Sequence, residues 1–148
     1  MRTWLAGLVL LALLPLASGC GNGSPSGAYC DEVTSKQQEL SDILSTGQPD
    51  VLIRALGIFK ALQGKAPEDI SDEWQQVIRA IEGLQQALAD AGVDAATYDR
   101  NHPPTDLTDE ERARIDAAAR ELGGRATNDA FASIKQQVKD VCHTALYL

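Results

Sequence analysis

The chain has 148 residues, with 13 Lys and Arg against 21 Asp and Glu and a formal net charge of −8. One domain usually takes about 100–200 residues, so a multidomain enzyme does not fit this length. An acidic balance is the wrong one for displacing counterions from phosphates, which excludes nucleic acid as a partner, and 12 Gly with 6 Pro exclude collagen-like or low-complexity chains.

Met1-Arg2-Thr3 carries one positive charge, Trp4 to Ala17 carries none, and Ser18-Gly19-Cys20 follows. A basic start, an apolar stretch and small residues predict a secretory signal peptide over residues 1–19. The apolar run is about 15 residues, a helix of roughly 22 Å, whereas a bilayer core needs about 30 Å. Pro15 interrupts it as well. Ala17-Ser18-Gly19-Cys20 resembles the bacterial lipobox, in which small residues precede an obligatory Cys. The resemblance implies cleavage before Cys20, S-diacylation of Cys20 and attachment to the membrane through that lipid. It departs at Ala17, where Leu is commoner. Residues 20–27, with Gly, Asn, Ser and Pro after the Cys, then read as a flexible uncharged tether. Cleavage removes Arg2 and no acid, so an anionic surface offers the domain no attraction and the attachment has to be hydrophobic. Each buried lipid methylene contributes about 0.8 kcal/mol, and two or three chains hold where one does not.

From residue 28 to 148 apolar residues recur at helical spacing. The first segment aligns Tyr29, Val33, Leu40 and Leu44, with Ser26 as N-cap and Asp31 and Glu32 in the first turn, where acids suit the helix dipole. Gly47-Gln48-Pro49 ends it. The second opens at Asp50 as N-cap, carries Leu52, Ala55, Leu56, Phe59 and Leu62, and closes at Gly64 and Pro67. Gly57 inside it costs roughly 1 kcal/mol relative to Ala unless it permits close packing. The third places Ile70, Trp74, Val77, Ile78, Ile81, Leu84 and Leu88 on one wide stripe, with Pro67, Glu68 and Asp69 in its first turn. Gly92 as C′ makes Leu88 and Val93 the hydrophobic pair of a Schellman ending.

Residues 93–107 are a linker, where Pro103-Pro104 forbids a helix and Asp94 to Arg100 forms a short turn. Thr108 and Glu111 give a capping box. The fourth helix has a thin face of Ile115, Ala118, Ala119 and Leu122, broken by Gly123-Gly124. The fifth carries Ala126, Ala130, Phe131, Ile134, Val138, Val141, Cys142 and Ala145. Helices with one apolar face each bury those faces against one another. The expected fold is therefore all-α, a bundle of four to five helices.

With Cys20 acylated, Cys30 and Cys142 remain, at opposite ends of the folded region. Outside the cytoplasm such a pair is expected to form a disulfide rather than stay as two buried thiols. It would bring the two ends of the domain together beside the tether. No CxxC pair occurs, and Cys142 and His143 are adjacent, so on a helix they point about 100° apart and no metal site is expected.

Tyr29-Cys30, the segment Ala66-Pro67-Glu68-x-Ile70-x-Asp72-x-Trp74, and a last helix ending in Val141-Cys142 resemble small helical lipoproteins of actinobacteria. The resemblance covers nearly all of residues 20–148 and implies a secreted helical domain with one disulfide, and no activity. Where that pattern has a Gly after the last Cys, this chain has His143, which predicts a helix running on by one turn. Among candidate chemical groups, His102 sits in a loop with no partner in register, and His143 suits a helix C-terminus. The acid pairs at Glu68-Asp69, Asp72-Glu73 and Asp109-Glu110-Glu111 belong to first helical turns and lack EF-hand spacing. Trp74 lies on the core stripe. Neither GxSxG, P-loop nor Rossmann patterns occur. No catalytic residue and no cofactor is expected. The expected role is a membrane-anchored interaction module on the extracytoplasmic face, binding an envelope protein or polymer. The alternative is a carrier of a small apolar ligand between helices, with room left by the Ala-rich fourth helix.

Overall fold

The structure, a computed structural model, describes residues 25–148. The signal peptide, Cys20 and the tether as far as residue 24 lie outside the described residues. Helix α1 spans Pro25–Ser45, α2 Val51–Gln63, α3 Ser71–Asp90, α4 Asp109–Leu122 and α5 Arg125–Cys142, with a 3₁₀ turn at Glu68–Ile70 leading into α3. No strand occurs among the described residues, and the fold is an all-α helical bundle.

The predicted stripes meet. Tyr29, Val33 and Leu40 of α1, Ala55, Leu56, Phe59 and Leu62 of α2, Trp74, Val77, Ile78 and Ile81 of α3, and Ala130, Ile134 and Val138 of α5 are all buried in one core. Full burial of each large side chain contributes about 1.5–3 kcal/mol. At its centre the Trp74 Nε1–H donates to the Tyr29 hydroxyl at 3.1 Å. Burial pushes the Tyr29 hydroxyl above its usual titration range; the Trp74 bond opposes that rise and Asp69 adds to it. The hydroxyl therefore stays neutral and serves as acceptor. Phe59 bridges the aromatic residues, with ring centroids 5.8 Å from Trp74 and 6.0 Å from Phe131.

Helix α4 departs from the single-core expectation. Ile115 is buried with Leu88 and Leu107 in a second, smaller core, against which Val93, Ala95 and Tyr98 of the linker pack. Leu122, in the last turn of α4, packs against the main core, while the linker residues supply apolar volume around Ile115. Helix α3 serves both cores, its first half packing on α2 and α5 and reaching α1 through the Trp74–Tyr29 bond, its last turns facing α4 and the linker.

Local signals set most boundaries. Gly92 takes φ 65°, Val93 N–H donates to Leu88 O at 2.9 Å and Gly92 N–H to Ala89 O at 3.0 Å, the two bonds of a Schellman ending. Leu88 and Val93 meet in the second core, as expected. Asp94 Oδ1 accepts the Ala96 N–H at 2.9 Å, starting the short turn. The capping box is present: Glu111 N–H donates to Thr108 Oγ1 at 3.2 Å, and Thr108 N–H to Glu111 Oε2 at 2.9 Å. Those bonds from Thr108 to the Glu111 carboxylate hold it below the usual glutamate range. The box therefore contributes stability in full above the ordinary glutamate pKa, and loses it as pH falls through the depressed value. A pH titration of the Glu111 side-chain carbonyl by NMR is expected to give a midpoint below that of an exposed glutamate, and Thr108→Ala is expected to move it back up.

Between α4 and α5 the break favours glycine, since a Cβ at Gly124 would lie 3.0 Å from the carbonyl oxygens of Arg120 and Glu121, a tight contact that the backbone would have to relieve by a small shift. The buried Thr127 then donates to Glu121 O at 2.9 Å and accepts from Gln76 Nε2 at 3.3 Å, tying the break to α3.

Several expectations are corrected. Helix α1 starts at Pro25, not after a tether ending at residue 27; proline is tolerated there because its missing N–H would have no helical partner. Ser26 is therefore inside the helix, and Asp31 and Glu32 fall beyond the first turn. Pro67 precedes the 3₁₀ turn that holds Glu68 and Asp69, and the first turn of α3 carries Asp72 and Glu73 instead. Asp50 occupies the N-cap of α2 but makes no capping bond. Ala126, Val141 and Ala145 are exposed rather than on the core face of α5. Gly57 is exposed, with nothing within 4 Å of an added Cβ. Close packing does not require it, so Gly57→Ala is expected to stabilise the protein by up to about 1 kcal/mol in chemical denaturation.

Candidate functional site

The chain does not continue helically past Cys142. His143 adopts the left-handed conformation at φ 55°, the role a glycine usually takes, and the predicted extra turn is absent. Residues 144–148 then fold back along α1. Gln37 Nε2 donates to Ala145 O and to Thr144 Oγ1 at 2.6 and 3.1 Å, and Leu148 N–H donates to Ser41 Oγ at 2.6 Å. Leu146 enters the main core. Ser41 lies roughly 16 Å along α1 from Cys30 at 1.5 Å per residue. The last residues therefore run beside α1, although Cys142 itself sits at the end near Cys30.

Cys30 and Cys142 lie at disulfide distance, with Sγ atoms 1.98 Å and Cα atoms 5.2 Å apart across a sequence separation of 112. The expected pairing of the ends of α1 and α5 is present. Cys20 is outside the described residues.

The returning segment forms one wall of a groove of about 480 Å³, and α5 forms the other. Lys135, Gln136 and Lys139 face Leu146 and Tyr147 across it. The Tyr147 ring stacks on Phe131, with centroids 6.5 Å apart and planes 21° from parallel, and Lys135 Nζ sits 5.9 Å from its centroid, within cation–π reach. Lys135 and Lys139 are one helical turn apart, and neither forms an ion pair with a carboxylate among the described residues, although acids outnumber bases in the chain. An aromatic and aliphatic wall with two ammonium groups above it suits a partner bearing carboxylates beside apolar groups. The sequence does not announce this groove, because Leu146 and Tyr147 follow a helix end that no glycine marks.

No family model, curated protein or solved structure matches this chain. Its chemistry rests on its own residues. Trp74, fully buried, packs in the core and is not offered to a ligand. His102 does have a partner, contrary to the expectation from sequence: its Nδ1 lies 2.8 Å from Asp99 Oδ2, three residues earlier, in an exposed turn. That contact and the Asn101 N–H hold the Asp99 carboxyl below the usual range. His143 is exposed at the end of α5. Among the described residues, no three His, Cys, Asp or Glu side chains gather in a way that holds a metal, and no helix is long and apolar enough to cross a membrane.

Proposed function

We propose that the protein is a lipid-anchored module of the bacterial cell envelope, of the actinobacterial helical lipoprotein type, held on the extracytoplasmic face through a diacylated Cys20. It binds an acidic segment of another envelope component through the groove between α5 and residues 145–147. The observation that carries this reading is the Cys30–Cys142 pair at disulfide distance, since such pairs persist in oxidising compartments. The lipobox-like residues ahead of Cys20 and the uncompensated Lys135 and Lys139 support it. No catalytic role is assigned. Fractionation tests the anchor: detergent is expected to release the protein from membranes, while high salt and carbonate leave it bound, and Cys20→Ala is expected to abolish the membrane-bound, lipid-labelled form. Release of the wild-type chain by salt alone would falsify the anchor. A second reading, as carrier of a small apolar ligand, is supported by a separate cavity between α3 and α4.

A further inference from the structure

Residues 144–148 sit in a slot fitted to an extended segment. Gln37 Nε2 donates to Ala145 O at 2.6 Å and Ser41 Oγ accepts the Leu148 N–H at 2.6 Å, so α1 holds the backbone of the segment at two points. Leu146 is 3% exposed in the main core, and Tyr147 stacks on Phe131 of α5. Cys142 is paired with Cys30, so the reversal that delivers the segment to its slot begins at His143, held at φ 55°. That conformation is disfavoured for any residue with a Cβ. An extended His143 relieves the cost and turns residues 144–148 away from their own α1. Among the described residues the exposed large hydrophobics are Val141, at 39%, and Leu148, at 77%, one on each side of this hinge.

We propose that residues 144–148 exchange between two copies of the chain, each copy's segment seating in the slot between α1 and α5 of the other. Short hinges under strain favour such exchange, because the swapped segment keeps all of its contacts. The second copy is the occupant that the slot already fits, in its backbone bonds, its Leu146 site and its Tyr147 stack. No helix has to open, since the hinge follows the last residue of α5. The segment carries no charged side chain, so its insertion adds nothing to the repulsion between two acidic chains. The meeting of two copies at the hinge also supplies cover for Val141 and Leu148. The groove of the proposed function is rebuilt from two copies, with Lys135 and Lys139 facing the partner's Tyr147, and binding of an acidic segment there neither requires nor excludes the exchange.

Mixing isotope-labelled with unlabelled intact chain tests the exchange. Sedimentation equilibrium in density-matched detergent is expected to give twice the chain mass as concentration rises. Isotope-filtered nuclear Overhauser spectra are expected to show contacts between Tyr147 of one copy and Phe131 of the other. Leu146→Asp, which sets a charge against the core, is expected to return the protein to the monomer, with the Trp74 indole resonance reporting that the bundle is still folded. His143→Gly makes the left-handed conformation nearly free and is expected to weaken the pair by about tenfold for each of the two hinges. A monomer mass at every concentration overturns the inference. So does a dimer that survives Leu146→Asp, or one whose Tyr147–Phe131 contacts all lie within one copy.

Discussion

Replacing Cys30 and Cys142 by serine is expected to lower the unfolding free energy by about 2–5 kcal/mol. The bridge spans a sequence separation of 112, and constraining so long a loop removes much of the freedom of the unfolded chain. Domains of this size have only about 5–15 kcal/mol of stability in total. The loss would also be felt locally. Cys142 is the last residue of α5, His143 turns the chain there, and the bonds from Gln37 and Ser41 hold residues 144–148 against α1. Either single serine variant is expected to match the double variant, because each breaks the same bond. Reductant should reproduce the effect in the wild type. Urea unfolding with and without reductant measures it, and a wild-type midpoint indifferent to reductant would contradict the pairing.

Trp74→Ala is expected to cost about 3–5 kcal/mol, the range for deleting a large buried aromatic side chain. Trp74 has no exposed surface, packs on Phe59 and donates to Tyr29. The hydrogen bond can be separated from the packing. Tyr29→Phe keeps the ring and orphans the Trp74 Nε1–H in the core, which is expected to cost about 1–3 kcal/mol. Trp74→Phe orphans the Tyr29 hydroxyl instead. In a double-mutant cycle the combined Phe variant should lose less than the sum of the two single losses, since both polar partners are then gone. Strict additivity would show that the Trp74–Tyr29 bond carries no coupling.

The faces of α1, α2 and α3 were legible because their apolar residues recur at the helical period and end at Gly and Pro signals a few residues away. The Schellman ending at Gly92 and the capping box at Thr108 are likewise local, and both stand in the structure as read. The pairing of Cys30 with Cys142 needed only the removal of Cys20 from the count. The features that escaped were non-local or lacked a marker. Leu107 and Tyr98 lie in a stretch rich in Asp, Pro and Asn, and nothing near them in sequence says that they close on Ile115. His143 enters the left-handed region without being glycine, so α5 reads as continuing and the fold-back of Leu146 and Tyr147 is hidden. The groove and the cavity both depend on those two segments. For the same reason Gln37 reads as a solvated helix residue, although it fastens the C-terminal segment.

Intact-mass spectrometry of the protein purified from membranes in detergent tests the anchored, extracytoplasmic account most directly. The expected species begins at Cys20, carries a diacylglyceryl thioether on that residue, and lacks the two hydrogens lost when Cys30 and Cys142 pair. A chain that retains Met1, or one whose Cys20 thiol is free to alkylate, would contradict it.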